Sequence, residues 1–256
     1  MLSSTAQRCS AYTEGGVQVA SKRIVGIVDL VRSRFPELED PEEAVVDGAV
    51  LINGVVVRNL RSRFPSESAV KIDQPKTLRG SKKLAAAIDA FEIPVEGRIA
   101  LDLGASSGGF TSVLIERGAA AVYAVDVGYG QLLGSLRQNP RVHNLERTNL
   151  ADVTAELLGA PVDLMTVDLS YLSLANAIGQ VERVEFAAGA DLIALVKPMF
   201  ELGLGTMPAD QEGLDAAVEL ATAGVERLPW SVRGLIRSPV QGSRGAIEFL
   251  LHAVRT

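Results

Sequence analysis

From residue 77 to residue 256, short apolar runs bounded by turn residues alternate with stretches of helical spacing. Few folds accommodate that alternation. The runs are Arg98–Leu103, Ala121–Val127, Val142–Leu145, Val162–Val167, Leu192–Val196, Ser231–Ile236 and Ala246–Ala253. Between them lie helical patterns at Lys82–Phe91, Gly108–Arg117, Gly130–Arg137, Leu174 onward and Gln211–Leu228. Seven strands in this order predict an α/β fold, a doubly wound parallel sheet with an antiparallel hairpin at its end.

The residues before 77 follow a different pattern. Residues 1–20 are small and polar and read as a flexible tail. A module over 21–73 follows. It begins with helical spacing over 24–34, closed by Phe35-Pro36, and a second helix near Asp40-Pro41, with Asp40 as N-cap. Ala49–Val57 reads as two strands across Asn53-Gly54, a strong hairpin signal, and Ala69–Ile72 as a further strand. Arg-Ser-Arg-Phe-Pro occurs at 32–36 and again at 61–65, an echo too short to define a repeat architecture. Residues 74–79 form a linker to a larger domain over 80–256.

Composition removes several classes of function. One cysteine (Cys9) and two histidines (His143 and His252) exclude a disulfide scaffold and a zinc cluster. The apolar stretch from Ala44 to Val57 carries Asp47 and Asn53 and is too short to span a bilayer. Residues 1–16 lack the apolar run of a signal peptide. A soluble, cytoplasmic protein with no membrane partner is expected. The net charge is −6, with 10 basic and 10 acidic residues in 1–76 and 15 and 21 in 77–256. Any RNA partner must therefore be held by local basic patches.

Two neighbouring motifs point to a nucleotide cofactor. Leu101-Asp102-Leu103-Gly104-Ala105-Ser106-Ser107-Gly108-Gly109-Phe110-Thr111 reads as a strand, a small-residue turn and a helix start. Such a turn lets backbone N–H groups approach a ligand, although it also serves as a plain tight turn. Asp126 ends the next strand 22 residues after Gly104, where a carboxylate accepts ribose hydroxyls. NAD and S-adenosylmethionine both satisfy the pair. Farther on, Asp168 and Lys197 each follow an apolar strand, where an unpaired charge costs desolvation. They serve either as a structural ion pair or as working groups.

These residues carry a resemblance. Asp-x-Gly-Ala-Ser-x-Gly-Gly-Phe-Thr at 102–111, Asp-Val-Gly-Tyr-Gly-Gln-Leu at 126–132, Leu-Glu-Arg-Thr-Asn at 145–149, Asp-Leu-Ser-Tyr at 168–171 and Lys-Pro-Met-Phe-Glu at 197–201 closely resemble the TlyA-type enzymes. Those are S-adenosylmethionine-dependent ribosomal RNA 2′-O-methyltransferases with an FtsJ-like domain of the Rossmann-like class I methyltransferase fold. The resemblance runs from about Leu78 to His252. More weakly, the N-terminal module is similar to the αL-type (S-four) RNA-binding domain of those enzymes.

The resemblance implies a catalytic set of Lys83, Asp168, Lys197 and Glu248, with Lys82 as the alternative first lysine, and places Glu248 inside the last strand. It also implies a cofactor site of Asp102, Gly104, Ser106, Gly108, Gly109, Phe110, Asp126, Asn149 and Asp168, with no metal. Lys197 would be the base for the 2′-hydroxyl. Lys83 would favour its neutral form through like charge, and the two acids would orient both amines. Ribosomal RNA or a ribosomal subunit is the implied partner, with Arg32, Arg34, Arg58, Arg61 and Arg63 as candidate contacts. The sequence departs from the family pattern at Ala246, in the stretch 202–207, and in the neutral charge of its N-terminal module.

Two other functions compete: small-molecule O-methylation on the same fold, and a non-catalytic RNA-binding or assembly factor. A scaffold has no use for two lysines at a strand edge. The absence of paired prolines after Asp168 argues against adenine amine methylation, and Cys9, in the tail, is misplaced for attack on a pyrimidine. A dehydrogenase is expected to carry G-x-G-x-x-G, and Ser106 stands at its second glycine.

Overall fold

A computed structural model of the chain describes residues 23–36, 38, 41–46, 48–72, 78–208, 210–242 and 245–256. The expected tail at 1–20, the Asp40 cap, Cys9 and linker positions 74–77 lie outside the described residues.

The first elements are β1 (Ile24–Gly26), α1 (Ile27–Arg34), α2 (Pro41–Val46), β2 (Val50–Ile52), β3 (Val55–Val56), β4 (Arg63–Pro65) and β5 (Val70–Ile72). The Asn-Gly signal is met: Asn53 and Gly54 take φ of 51° and 83°, and β2 pairs with β3 across them. β5 pairs with the other side of β2. The helical spacing over 24–34 is corrected at its start, because Ile24–Gly26 pairs antiparallel with β4. Local periodicity gave no sign of that long-range partner. The two copies of Arg-Ser-Arg-Phe-Pro differ in structure, one ending α1 and the other entering β4. Ile27, Leu30, Val31, Val45, Val50 and Ile52 form a core of their own.

The larger part comprises α3 (Arg79–Phe91), β6 (Ile99–Leu103), α4 (Gly109–Glu116), β7 (Ala121–Asp126), α5 (Gly134–Arg137), β8 (Val142–Glu146), α6 (Ala155–Leu158), β9 (Val162–Val167), α7 (Leu174–Gly179), β10 (Phe186–Val196), α8 (Pro198–Glu201), α9 (Gln211–Glu226), β11 (Trp230–Arg237) and β12 (Phe249–Arg255). Seven strands form one sheet in the order β11-β12-β10-β9-β6-β7-β8. Strands β10, β9, β6, β7 and β8 run parallel, whereas β12 is antiparallel to both β10 and β11. The expected hairpin is therefore present, but β12 inserts between β10 and β11. Successive residues of β10 alternate between two cores, Leu192, Ala194 and Val196 on one face and Ile193 and Leu195 on the other. Continuous apolarity is what a parallel strand covered on both faces requires.

Three sequence expectations shift. α3 starts at Arg79, within the expected linker. α5 is confined to Gly134–Arg137 because Glu146 Oε1 accepts the N–H groups of Gln131 (2.7 Å) and Leu132 (3.1 Å), holding that segment out of a helix. Glu248 precedes β12 instead of lying inside it.

Candidate active site

The chain proceeds from β6 outward to β7 and β8, then crosses back to β9 on the other side of β6. Ligands bind in open α/β sheets at such a reversal, outside the carboxyl ends of the strands. Gly104 follows β6, Asp126 ends β7 and Asp168 follows β9, so the three meet at neighbouring strand ends. Gly104 is required there. Its φ is +84°, and a Cβ would stand 2.3 Å from the carbonyl oxygen of Asp168. Gly108 (φ +94°) opens α4, and a Cβ on it would meet Leu136 Cδ1 at 2.2 Å.

The turn between them binds Asp126, the expected acceptor at the end of β7. Ser106, at φ 48°, donates its N–H to Asp126 Oδ2 (2.9 Å), and Gly128 donates its N–H to Asp126 Oδ1 (2.7 Å). Ser106 Oγ also bonds Gln131 Oε1 at 3.2 Å. Each Asp126 oxygen thus has one donor fixed and a lone pair left for a hydroxyl. Tyr171 borders the same site, its phenol pushed up by burial and by the charge of Asp126. Asn149 is exposed and donates Nδ2 to Asp152 Oδ2 at 3.3 Å.

Several of the residues expected at the cofactor are buried under the Gly104–Gly108 turn. Asp102 is fully buried, accepting from Thr111 Oγ1 (2.6 Å) and Thr166 Oγ1 (2.8 Å). Burial pushes its carboxyl up to about 6. It braces the end of β6 against α4 and β9. Phe110 belongs to the buried core shared with Leu84 and Leu114. Gly109 allows backbone contact between α4 and α3, since a Cβ would meet Gly80 Cα at 3.0 Å. Ser81 Oγ closes that junction by donating to the Gly109 carbonyl at 2.9 Å.

The four expected catalytic side chains stand as two ion pairs. Lys197 Nζ is 2.6 Å from Asp168 Oδ1 and donates to Ser170 Oγ at 2.7 Å. Lys83 Nζ is 2.6 Å from Glu248 Oε2. Register brings them to one edge: Ala194 pairs with Val167 and Val196 with Phe249, so Asp168 and Lys197 follow β9 and β10 where Glu248 enters the antiparallel β12. Lys83 comes from α3, and Lys82, the alternative lysine, is exposed on the same helix. The pairs differ in access. Lys83 and Glu248 keep 8% and 6% of their side-chain surface, Lys197 and Asp168 14% and 24%. Gly242 leaves room for the Glu248 carboxylate, for a Cβ there would lie 2.2 Å from Oε1. Lys83 has a carboxylate of its own in Glu248, as Lys197 has in Asp168.

The FtsJ-like methyltransferase family matches residues 77–255 of this sequence. The chain belongs to that family. An rRNA (cytidine-2′-O)-methyltransferase TlyA of Mycobacterium tuberculosis is 40% identical over 87% of this chain and 84% of its own length. The TlyA-type resemblance read from the motifs is thus borne out. A Bacillus subtilis protein described as an rRNA methyltransferase, YqxC, is 38% identical over 68% of this chain and 64% of its own. A solved structure described as a hemolysin from Streptococcus thermophilus superposes with a TM-score of 0.68 at 31% identity, covering 92% of this chain and 90% of that one.

For this FtsJ-like methyltransferase, sequence reading missed Ser170, Gln131, Glu146 and Glu201. All four lie inside the family-like motifs, yet nothing local marks their partners. Glu146 is held below the usual carboxylate range: burial opposes ionisation, but hydrogen bonds from Asn144, Leu132 and Gln131 outweigh it. Glu201 Oε1 accepts the Leu174 N–H at 2.9 Å, and burial pushes its carboxyl up to about 7. Among the described residues no helix is long and apolar enough to cross a membrane, and no group of His, Cys, Asp and Glu is placed to hold a metal ion.

Proposed function

We propose that this chain is an S-adenosylmethionine-dependent methyltransferase acting on ribose 2′-hydroxyl groups of ribosomal RNA. Its M. tuberculosis relative is named for that reaction. The observation that carries the reading is the partly open Lys197–Asp168 pair beside the Gly104–Gly108 turn, backed by the buried Lys83–Glu248 pair.

The residues present suit this cofactor. Asp126 offers lone pairs to a ribose diol, the turn offers N–H groups, and the Asp168 carboxylate favours a sulfonium charge. S-Adenosylmethionine supplies an electrophilic methyl group when bound. The protein's part is to deprotonate and align the attacking hydroxyl. A neutral Lys197 amine has two N–H groups and one lone pair. With the N–H groups held by Asp168 Oδ1 and Ser170 Oγ, the lone pair has one direction left, toward an incoming 2′-hydroxyl. Lys83 and Glu248 brace the strand ends from below, and alignment to roughly 3 Å supplies the rest of the effect.

Residues 23–72 are read as an αL-type RNA-binding module. Its candidate arginines Arg32, Arg34, Arg58, Arg61 and Arg63 are all exposed. Arg34 and Arg63 each donate one N–H to a backbone carbonyl, of Ser66 and Ile24, which orients their remaining donors. The Arg58 guanidinium lies against Gly48. The neutral balance of the module suits a part that orients RNA more than it anchors it.

The test is incubation with radiolabelled S-adenosylmethionine and, separately, ribosomal RNA, intact subunits and a small-molecule extract. Label in ribose 2′-O-methyl nucleosides is expected. Label confined to the small-molecule fraction would replace RNA with a small substrate.

A further inference from the structure

We propose that Glu201 is a positioning residue for methyl transfer, holding the segment that carries Asp168 and Ser170 in place beside Lys197. The proposal rests on the reading above, in which Lys197 acts on the substrate hydroxyl.

Two chain segments leave neighbouring strands and face each other, 168–174 after β9 and 197–201 after β10. They are joined at two places. Lys197 bonds Asp168 and Ser170 at the strand ends, and Glu201 Oε1 accepts the N–H of Leu174 at 2.9 Å. The spacing matches on both sides. Glu201 follows Lys197 by four residues, and Leu174 follows Ser170 by four. α8 makes the first spacing rigid, because the Glu201 and Phe200 N–H groups return to the Lys197 carbonyl at 3.2 and 2.9 Å.

Leu174 is the first residue of α7, and its N-cap, Ser173, makes no side-chain capping bond. Glu201 provides the missing acceptor from another segment. Both α7 and α8 pack on α9, where a Cβ on Gly224 would stand 2.9 Å from that of Ala175, so the two joined segments share one base.

The two joins have different lifetimes in a reaction. Lys197 must exchange a proton and admit a substrate hydroxyl, so its bonds to Asp168 and Ser170 are disturbed in each turnover. Glu201 takes no part in that exchange. With Glu201 in place the segment ending in Leu174 keeps its course, and Asp168 and Ser170 return to the same positions around the amine. Without it, the exposed stretch Ser170–Tyr171 keeps its anchor through β9, where the Asp168 N–H bonds the Leu103 carbonyl at 2.9 Å, and the Lys197 bond that turnover disturbs. It loses the hydrogen bond that fixes its far end at Leu174. Misplacement by a fraction of an ångström is enough to cost rate in such a site.

The experiment compares Glu201→Ala and Glu201→Gln with the wild type in three measurements: kcat and KM for RNA methylation, calorimetric affinity for S-adenosylhomocysteine, and hydrogen exchange of residues 168–175. Glutamine keeps an Oε1 acceptor and alanine has none. Alanine is expected to lower kcat roughly tenfold, leave S-adenosylhomocysteine affinity unchanged and speed exchange at Leu174 by about the same factor. Glutamine is expected to restore both rate and protection. Unchanged kcat and exchange in the alanine variant would overturn the proposal. So would a glutamine variant as slow as alanine, which also decides the matter if alanine fails to fold. If the wild type methylates no RNA while alanine still frees Leu174, the reaction assigned above falls and the hold on the segment stands.

Discussion

Lys197 Nζ donates to Ser170 Oγ across 2.7 Å while also meeting Asp168 Oδ1 at 2.6 Å, so one strand end supplies both partners of the amine on the next. Ser170→Ala removes one of these bonds and leaves the ion pair. Single-turnover methylation should slow roughly tenfold, the usual weight of a hydrogen bond to a charged group, with unchanged S-adenosylhomocysteine affinity. A rate equal to wild type would show that Asp168 alone orients the amine.

Substituting Lys197 itself separates chemistry from architecture. Lys197→Ala should lower methyl transfer by roughly 10²–10⁴-fold, and Lys197→Arg should be almost as slow, because guanidinium does not give up its proton at accessible pH. If arginine restores both activity and melting temperature, Lys197 closes the sheet as a cation and some other group takes the proton.

The Lys83–Glu248 pair is the buried one, which sets a different expectation. Lys83→Met or Glu248→Gln leaves the partner's charge without its counter-ion, at about 3–5 kcal/mol in stability. Replacing both with apolar residues should recover most of that loss in thermal unfolding while leaving methylation impaired. Full activity in the double variant would reduce the pair to packing.

Two carboxyls are held above their ordinary range by burial, Asp102 at about 6 and Glu201 at about 7. The folded chain holds these protons more tightly than the unfolded one, so their contribution is fully present at low pH. It is lost as pH rises through the folded values, in a window of about pH 4 to 7. Asp102→Asn and Glu201→Gln should therefore gain stability relative to wild type as pH rises across that window, read from chemical unfolding at pH 4.5 and 8. A constant difference between the two pH values would mean that neither group titrates with folding.

Asp126→Ala should weaken S-adenosylhomocysteine binding by roughly ten- to a hundredfold, through loss of acceptors for two hydroxyls. It should also loosen the turn, because Ser106 and Gly128 both donate to this carboxylate. Calorimetry together with hydrogen exchange over 104–108 and 126–132 reads both effects. Unchanged affinity would move the ribose elsewhere.

The sequence by itself determined the layering of the larger part. The continuous apolar run Leu192–Val196 of β10 suits only a strand buried on both faces, and the Gly104–Gly108 turn, Asp126, Asp168 and Lys197 lie at strand ends because apolar strands end where charge begins. Asn53-Gly54 likewise fixed its hairpin, since both positions need positive φ.

What only the tertiary structure decided depends on partners far apart in the chain. Lys83 and Glu248 are 165 residues apart, and their pairing exists because β12 inserts beside β10 while α3 packs nearby. Ile24–Gly26 is a strand only because Arg63–Pro65 comes to pair with it. Asp102 stands in the glycine motif, and only the fold brings Thr111 and Thr166 to its two oxygens under the turn. Glu201 looked like the end of a motif until Leu174 supplied its N–H. Spacing along a chain reports which face a residue occupies, whereas hydrogen-bond partners and desolvation are set by whatever the fold brings to that face.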